Sequence, residues 1–363
     1  MSMQTAWDLV VGRDDLSRTN QVDQPVPVAG PDEVVLRVDR VGMTANNVTY
    51  AVVGDTMNYW EFFPAEDGWG RVPLWGFADV VSSEVPGIDV GTRLYGYLPS
   101  SSHLVVRADN VNDKGFRDSS EHRAELPGVY NVYSTTTDDP AYEAAREDLQ
   151  ILYRPLFVTS LMLADFLVDN ELFGAQTVLM SSASSKTAYG AAFCLRLEDP
   201  ATKIVGLTSA GNVDFTKQLG CYDDVVSYDD IAGLPAEEAV VYADMAGSDT
   251  LRQTIHRHFD DRLAHDAAVG VTHFDERALK NAGDLPGSPP TFFFAPTQIS
   301  KRRADWGPGA IEKRFGVAWR EFAPVVENWV DVHESHGPEG LRDAWLEVLS
   351  GRSDPRVGHV IQL

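Results

Sequence analysis

Residues 178–192, VLMSSASSKTAYGAA, read as a strand entering a helix through a turn of Ser, Ala, Lys and Thr. In a nucleotide-binding turn of this kind small residues let the backbone approach a pyrophosphate, and the helix N-terminus adds N–H groups and a positive dipole end. Ser184, Ser185, Lys186 and Thr187 therefore offer hydroxyls, backbone donors and a cation at one helix start, a good environment for phosphate. An ordinary strand-to-helix connection with a Ser or Thr N-cap uses the same residue types. A Walker loop does not fit, because Met180 and Ser185 stand where its glycines belong, and a Ser-x-x-Lys nucleophile fails because Ala183 precedes Lys186 by three. The next strand ends VGLTSAGNVDF, so Thr208, Ser209 and Asn212 occupy the place where an acid would bind the ribose of NAD, and the first acid is Asp214. That absence favours NADPH, with Lys217 in the following helix either assisting the 2′-phosphate or simply solvated.

Other titratable residues give weaker signals. His256 and His258 are expected on the polar side of a helix and His265 just before a strand, whereas His273 follows AVGVT at the sheet edge where ligands gather in doubly wound folds. Arg154 and Lys301 could meet a carboxylate or phosphate, although a salt bridge serves each equally well. Cys194 and Cys221 have no CxxC spacing, so neither a disulfide framework nor a zinc cluster is indicated.

The elements that must position these groups fall into two styles. The first third alternates short β-rich runs with turn residues, as in EVVLRVDRVGM (33–43), ADVVSSEV (78–85), TRLYGYL (92–98) and SHLVVRA (102–108), which suits an antiparallel or barrel-like domain. Residues 109–150 turn polar and are expected to form an excursion or lid. Strands are then expected at 177–182, 203–208, 224–227, 239–244, 265–271 and 291–295, with helical patterns between several of them, which means a parallel, doubly wound sheet. The closing WVDVHES, PEGLRDAWLEVLSG and GHVIQL return to the first style, so 1–150 with 331–363 form one domain and 151–330 the other.

Composition bounds the partners. The 363 residues exceed what one core usually supports. A formal charge of −24 would repel nucleic acid, and KRRADW at 301–306 is too short a basic run to reverse this. There is no run of 18 apolar residues and no leader-like N-terminus, so a soluble, cytoplasmic protein acting on a small molecule is expected, without membrane or nucleic-acid partner. PTFFFAP at 290–296 reads either as a sheet edge available for a homodimer or as a buried strand.

Over nearly its whole length the chain resembles the medium-chain dehydrogenase/reductase superfamily in its zinc-free, quinone-reductase-like branch, and within or beside it the DUF2855 family. The residues that carry the resemblance are GPDEVVLRVDRVGMTANNVTYAVVGD, VPLWGFADVVSSEVPGIDVGTRLYGYLPSSSHLVV, FGAQTVLMSSASSKTAYGAAFCL, LGCYDDVVSYDD, VYADMAGSDTLRQTI and SGRSDPRVGHVIQL. The resemblance implies an α/β protein with a GroES-like β-barrel domain and a Rossmann-type domain. It also has departures. Ser184, Ser185 and Thr187 stand at glycines of the family and Gly190 at an alanine, while MTANNV and Gly76-Phe77-Ala78 lack the Cys and His that hold catalytic zinc in other members. No metal site is expected.

Zinc-free relatives of this kind reduce polarised C=C bonds, leaving an enolate that needs a hydrogen-bond donor. The candidate site is then the loop TANNVTYAVVGDTMNYWEFFPAEDGW, where Asn46, Asn47, Thr49 and Tyr50 can hydrogen-bond a carbonyl or a nicotinamide amide. Tyr59 resembles in position a proton-donating tyrosine of some enoyl reductases. Tyr59, Trp60, Phe62, Phe63, Trp69 and Trp75 form a dense aromatic run that lines an apolar pocket or serves as core. The expectation is an NADPH-dependent reductase of a small apolar or aromatic substrate, with catalytic Tyr59, Tyr50 and Asn47 and a pocket of Asn46, Trp60, Phe63, Trp75 and His273. A lyase or aldolase-type enzyme on the same scaffold, or a non-catalytic NADPH-binding protein, remains open.

Overall fold

The computed structural model describes residues 5–269, 285–352 and 354–363. The chain divides into two units, Met1–Leu152 with Val330–Leu363, and Tyr153–Trp329.

The first unit is built from β-branched runs whose alternation buries one face. Its strands are β1 (Ala6–Gly12), β2 (Thr19–Gln24), β3 (Glu33–Met43), β4 (Trp69–Arg71), β5 (Pro73–Ser83), β6 (Arg93–Pro99), β7 (His103–Asn112), β8 (Gly115–Asp118) and β9 (Val132–Thr135). One helix, α1 (Ala45–Val52), follows β3. A small sheet has the order β2-β1-β4. The main sheet continues from β3 through β5, β6, β9 and β8 to β7, and β7 pairs back onto β3, which closes the six strands into a barrel without free edges. Val34, Leu36, Val38, Leu74, Tyr97 and Val106 are fully buried among the residues of this core.

The segment 109–150 is not an excursion from this barrel, as its polar composition suggested. β7 runs on to Asn112, and β8 and β9 pair with it and with β6. Most of its polar residues are exposed, but two enter the interior as partners: Arg123 and Asp118, each with a side chain 1% exposed, form an ion pair at 3.0 Å near Tyr133, which is also fully buried. Polarity on the page thus concealed a buried pair, the arrangement that makes an interior charge tolerable.

A 23-residue helix, α2 (Glu147–Asp169), then carries the chain across the division between the units. The sequence reading gave no helix here, and Pro155 argues against one, yet the helix continues through it. Its apolar window passes the length and composition of a membrane span, and 61% of that window is buried inside the fold.

The second unit contains β10 (Thr177–Met180), β11 (Lys203–Thr208), β12 (Asp224–Ser227), β13 (Val240–Asp244), β14 (Leu263–Ala268) and β15 (Pro290–Phe292). All pair in parallel in the order β12-β11-β10-β13-β14-β15. Numbered within the unit this is 3-2-1-4-5-6, the Rossmann order, in which the switch point falls between the first and fourth strands, β10 and β13. The helices α3 (Lys186–Glu198), α4 (Val213–Gln218) and α5 (Asp249–Phe259) connect successive strands, and α6 (Ala295–Trp306) and α7 (Ala310–Val326) follow the sheet. Each expected strand is present, with ends shifted by up to three residues. PTFFFAP supplies β15, which among the described strands pairs only with β14 and so is an edge.

The last residues return to the first unit. β16 (Asp331–His336), α8 (Gly337–Leu349) and β17 (Val357–Gln362) add two strands to the main sheet, β17 lying antiparallel to β3, and Trp345 is 1% exposed in the barrel's core.

Candidate active site

In the second unit the turn after β10 lies at the switch point of the sheet. Ser182 holds a φ of 50°, a left-handed conformation that favours glycine, and its N–H donates to the Tyr228 hydroxyl at 2.9 Å. The turn thus bends left-handed at Ser182, two residues before the first position where the family has glycine, and Ser185 keeps an extended φ of −80°. Ser185 is the N-cap of α3, its Oγ accepting from the Ala188 N–H at 3.3 Å, so the sequence reading of a capping serine is compatible with a phosphate site at the same helix start. Lys186 and Thr187 begin that helix. The Lys186 ammonium lies 5.8 Å from the centre of the Tyr153 ring.

Ser184 is buried, and its Oγ accepts from the Asn212 amide at 3.2 Å and the Thr208 hydroxyl at 3.5 Å. The structure thus brings together three of the expected nucleotide residues at the C-terminal ends of β10 and β11. Ser209 is exposed as the N-cap of a short 3₁₀ turn, and Lys217 is exposed in the last turn of α4. Across the switch point Ser181 donates to Asp244 at 2.9 Å, while Asp244, fully buried, also accepts from the Tyr242 hydroxyl and the N–H groups of Ala246 and Gly247. Arg252 completes this knot by pairing with Asp244 and Asp266. Sequence reading missed it, because its members come from the turn after β10 and from β13, α5 and β14.

In the first unit four tyrosines converge. Tyr50 comes from α1, Tyr59 from a 3₁₀ turn at Tyr59–Phe62, Tyr97 from β6 and Tyr130 from a 3₁₀ turn at Gly128–Asn131. Ring centres of Tyr50 and Tyr59 are 4.6 Å apart, and those of Tyr97 and Tyr130 are 4.7 Å apart. The Tyr50 hydroxyl accepts from the Asn46 amide at 2.7 Å and the Trp75 indole N–H at 3.2 Å, and the Tyr59 and Tyr130 hydroxyls are 3.1 Å apart. The Tyr97 hydroxyl is buried without a hydrogen-bond partner among the described residues. Burial pushes the pKa of all four above the usual tyrosine value, so they remain protonated donors at neutral pH.

Several expected residues have other places. Asn47 is buried, its Oδ1 accepting from the Thr44 N–H at 2.7 Å and its amide donating to Pro73 O at 2.9 Å, so it fixes the start of α1 rather than facing a ligand. Trp60 is 1% exposed in the core, against Gly54 and Gly70. Phe63 is equally buried and stands against Tyr97 at 5.7 Å. His256 is not on a polar face: fully buried, it meets Asp266 at 2.9 Å and Pro286 O at 2.7 Å. His258 contacts Leu234 O, and His265 lies within β14 rather than before it. Lys301 pairs with Asp169, and Arg154 lies over the Phe315 ring. His273 lies outside the described residues. Among the described residues no group of three or more His, Cys, Asp or Glu is placed to hold a metal.

Tyr97 and Tyr130 were missed in the sequence. Tyr97 sits in a strand read only for its pattern, and Tyr130 lies in the segment taken for an excursion.

Residues 41–354 match a family described as a protein of unknown function, DUF2855. The chain belongs to the DUF2855 family. No curated protein matches it in sequence. Among solved structures this DUF2855 chain is similar to CurA from Vibrio vulnificus in complex with NADPH, at 12% identity and a TM-score of 0.62, covering 98% of each chain. It is similar to S. aureus TarJ in complex with NADPH at 11% identity, TM-score 0.60 and 99% coverage of each. The quinone oxidoreductase from Coxiella burnetii is 11% identical with a TM-score of 0.58, over 99% of this chain and 100% of that one. At such identities the likeness is one of fold, and the fold of this DUF2855 chain is the GroES-like barrel with a Rossmann-type sheet.

Proposed function

We propose that the chain is an NADPH-dependent reductase, independent of zinc, acting on a polarised C=C or C=O bond of a small apolar or aromatic molecule. The observation that carries this reading is the C-terminal edge of β10 and β11, where Ser184 is gathered by Thr208 and Asn212 and no carboxylate occupies the end of β11. A 2′-phosphate would be repelled by an acid at that place, and three neutral hydrogen-bonding side chains suit it better. Two of the similar structures, CurA and TarJ, were crystallised with NADPH, which supports the same cofactor here.

The residues present fit a dinucleotide: small side chains and a bend at Ser182 follow β10, and the N-terminus of the 13-residue α3 begins directly beyond them. Ser184, Ser185, Lys186 and Thr187 would hold the phosphates. NADPH, when bound, supplies a hydride.

The tyrosine cluster supplies what a substrate oxygen needs as it gains charge. Tyr59, its hydroxyl held by Tyr130, donates a hydrogen bond and then a proton to that oxygen. Tyr50, fixed by Asn46 and Trp75, keeps the surrounding hydroxyls in place, and the rings of Phe62, Trp75 and Tyr97 exclude water. The absence of Cys and His from MTANNV and from Gly76-Phe77-Ala78 supports a reaction that proceeds without zinc.

The test is oxidation of NADPH by a panel of cyclic enones and aromatic aldehydes, with the reduced products identified by mass. Tyr59→Phe is expected to lower kcat roughly a hundredfold with little change in the KM for NADPH. Product formation without consumption of NADPH would replace this reading with a lyase or aldolase-type one.

A further inference from the structure

The first unit contains a concave site away from the tyrosine cluster. A pocket of about 320 Å³ opens among β1, β4, β7 and the 3₁₀ turns, and none of Tyr50, Tyr59, Tyr97 or Tyr130 lines it. Its apolar walls include Trp7, Phe62, Phe63 and Leu104. The volume is at the small end for a ligand site, enough for a fragment-sized molecule.

Two arginines give this apolar space its polarity. Arg123 pairs closely with Asp118, at 3.0 Å, and its guanidinium lies 4.7 Å from the centre of the Phe63 ring. Arg71 is held by a looser ion pair. Its nearest carboxylate, Asp8, is 3.6 Å away, beyond hydrogen-bonding distance, and its Nη2 donates to Pro64 O at 2.7 Å. Its Nε is buried and has no hydrogen-bond partner among the described residues. A buried guanidinium donor without an acceptor is costly, and a planar carboxylate matches the Nε and Nη edge of arginine. Burial is the main cause that pushes the pKa of Arg71 down, the Asp8 carboxylate opposing it and the neighbouring charge of Arg123 adding to it.

We propose that this pocket binds a small monocarboxylate with an apolar aromatic tail, the carboxylate pairing with Arg71 and the tail resting on Trp7, Phe62 and Phe63. The partner is a single anionic group, because Asp8, Asp118 and two histidines, His103 and His122, share the lining and a polyanion would meet both aspartates. Neither bound nucleotide nor turnover is required, so the proposal stands apart from the reductase reading.

Titration of the full chain with 3-phenylpropionate, followed by calorimetry and by tryptophan fluorescence, tests it, with neutral 3-phenylpropionamide as the comparison. The expected result is saturable one-to-one binding of the acid and binding of the amide weaker by roughly tenfold or more. Arg71→Gln is expected to weaken the acid by a similar factor. Val105→Trp, at an exposed position of the lining, is expected to block it while keeping Arg71. Tyr59→Phe should leave the affinity unchanged. No saturable binding, equal binding of acid and amide, or affinity unaltered in both pocket variants would overturn the proposal, whatever the outcome with NADPH.

Discussion

Ser182 bends left-handed at a φ of 50°, a conformation that costs an L-residue about 1–2 kcal/mol relative to glycine. Ser182→Gly is therefore expected to stabilise the second unit by about 1 kcal/mol, read as a raised midpoint in urea unfolding, and a lowered midpoint would contradict the argument. His265 makes the opposite kind of prediction. It is 7% exposed, stacked on Phe173 at 3.8 Å, and burial holds its pKa at about 4. An unfolded histidine titrates near about 6.5, so the fold favours the neutral ring, and this contribution is complete above that value and is lost as pH falls towards about 4. Between about pH 7.5 and pH 5 the loss should be about 2 kcal/mol, and His265→Phe should abolish that part of the acid sensitivity. Ser184 was singled out from its residue type in a strand-to-helix turn and Tyr59 from a resemblance, and the structure sets the first beside Thr208 and Asn212 and the second beside Tyr130. The roles of Asn47 and His256 were not legible, because Asn47 closes a cap with Thr44 and reaches Pro73, and His256 meets Asp266 and Pro286.

At the scale of elements, α3 meets α2 at Gly190. A Cβ added there would stand 2.8 Å from the Ser160 Oγ, and that hydroxyl in turn donates to Thr187 O at 2.8 Å. Alanine would gain helix propensity but overpack this contact, so Gly190→Ala should cost about 1–2 kcal/mol. The cost should shrink in a Ser160→Ala background, as a double-mutant cycle would register, and strictly additive effects would argue against the contact. The strands were legible because β-branched runs bounded by turn residues announce themselves, as EVVLRVDRVGM does for β3 to the residue. α2 was not, since Pro155 interrupts its pattern, and β8 and β9 were hidden because their neighbourhood buries charge in pairs.

For the whole molecule, the return of the last thirty-odd residues to the first unit was visible as a return of style, whereas the closure of the barrel through β3 and β7 joins strands that share no local signal. The parallel order of the second unit follows from strand-helix alternation, and it sets the switch point at β10 and β13. Everything proposed for the reaction depends on what that switch point holds. Calorimetric titration of the full chain with NADPH and, separately, with NADH is the most direct test. The account predicts one-to-one binding of NADPH, tighter than NADH by roughly tenfold or more because no acid at the end of β11 opposes the 2′-phosphate. Binding of neither nucleotide, or a preference for NADH, would contradict it.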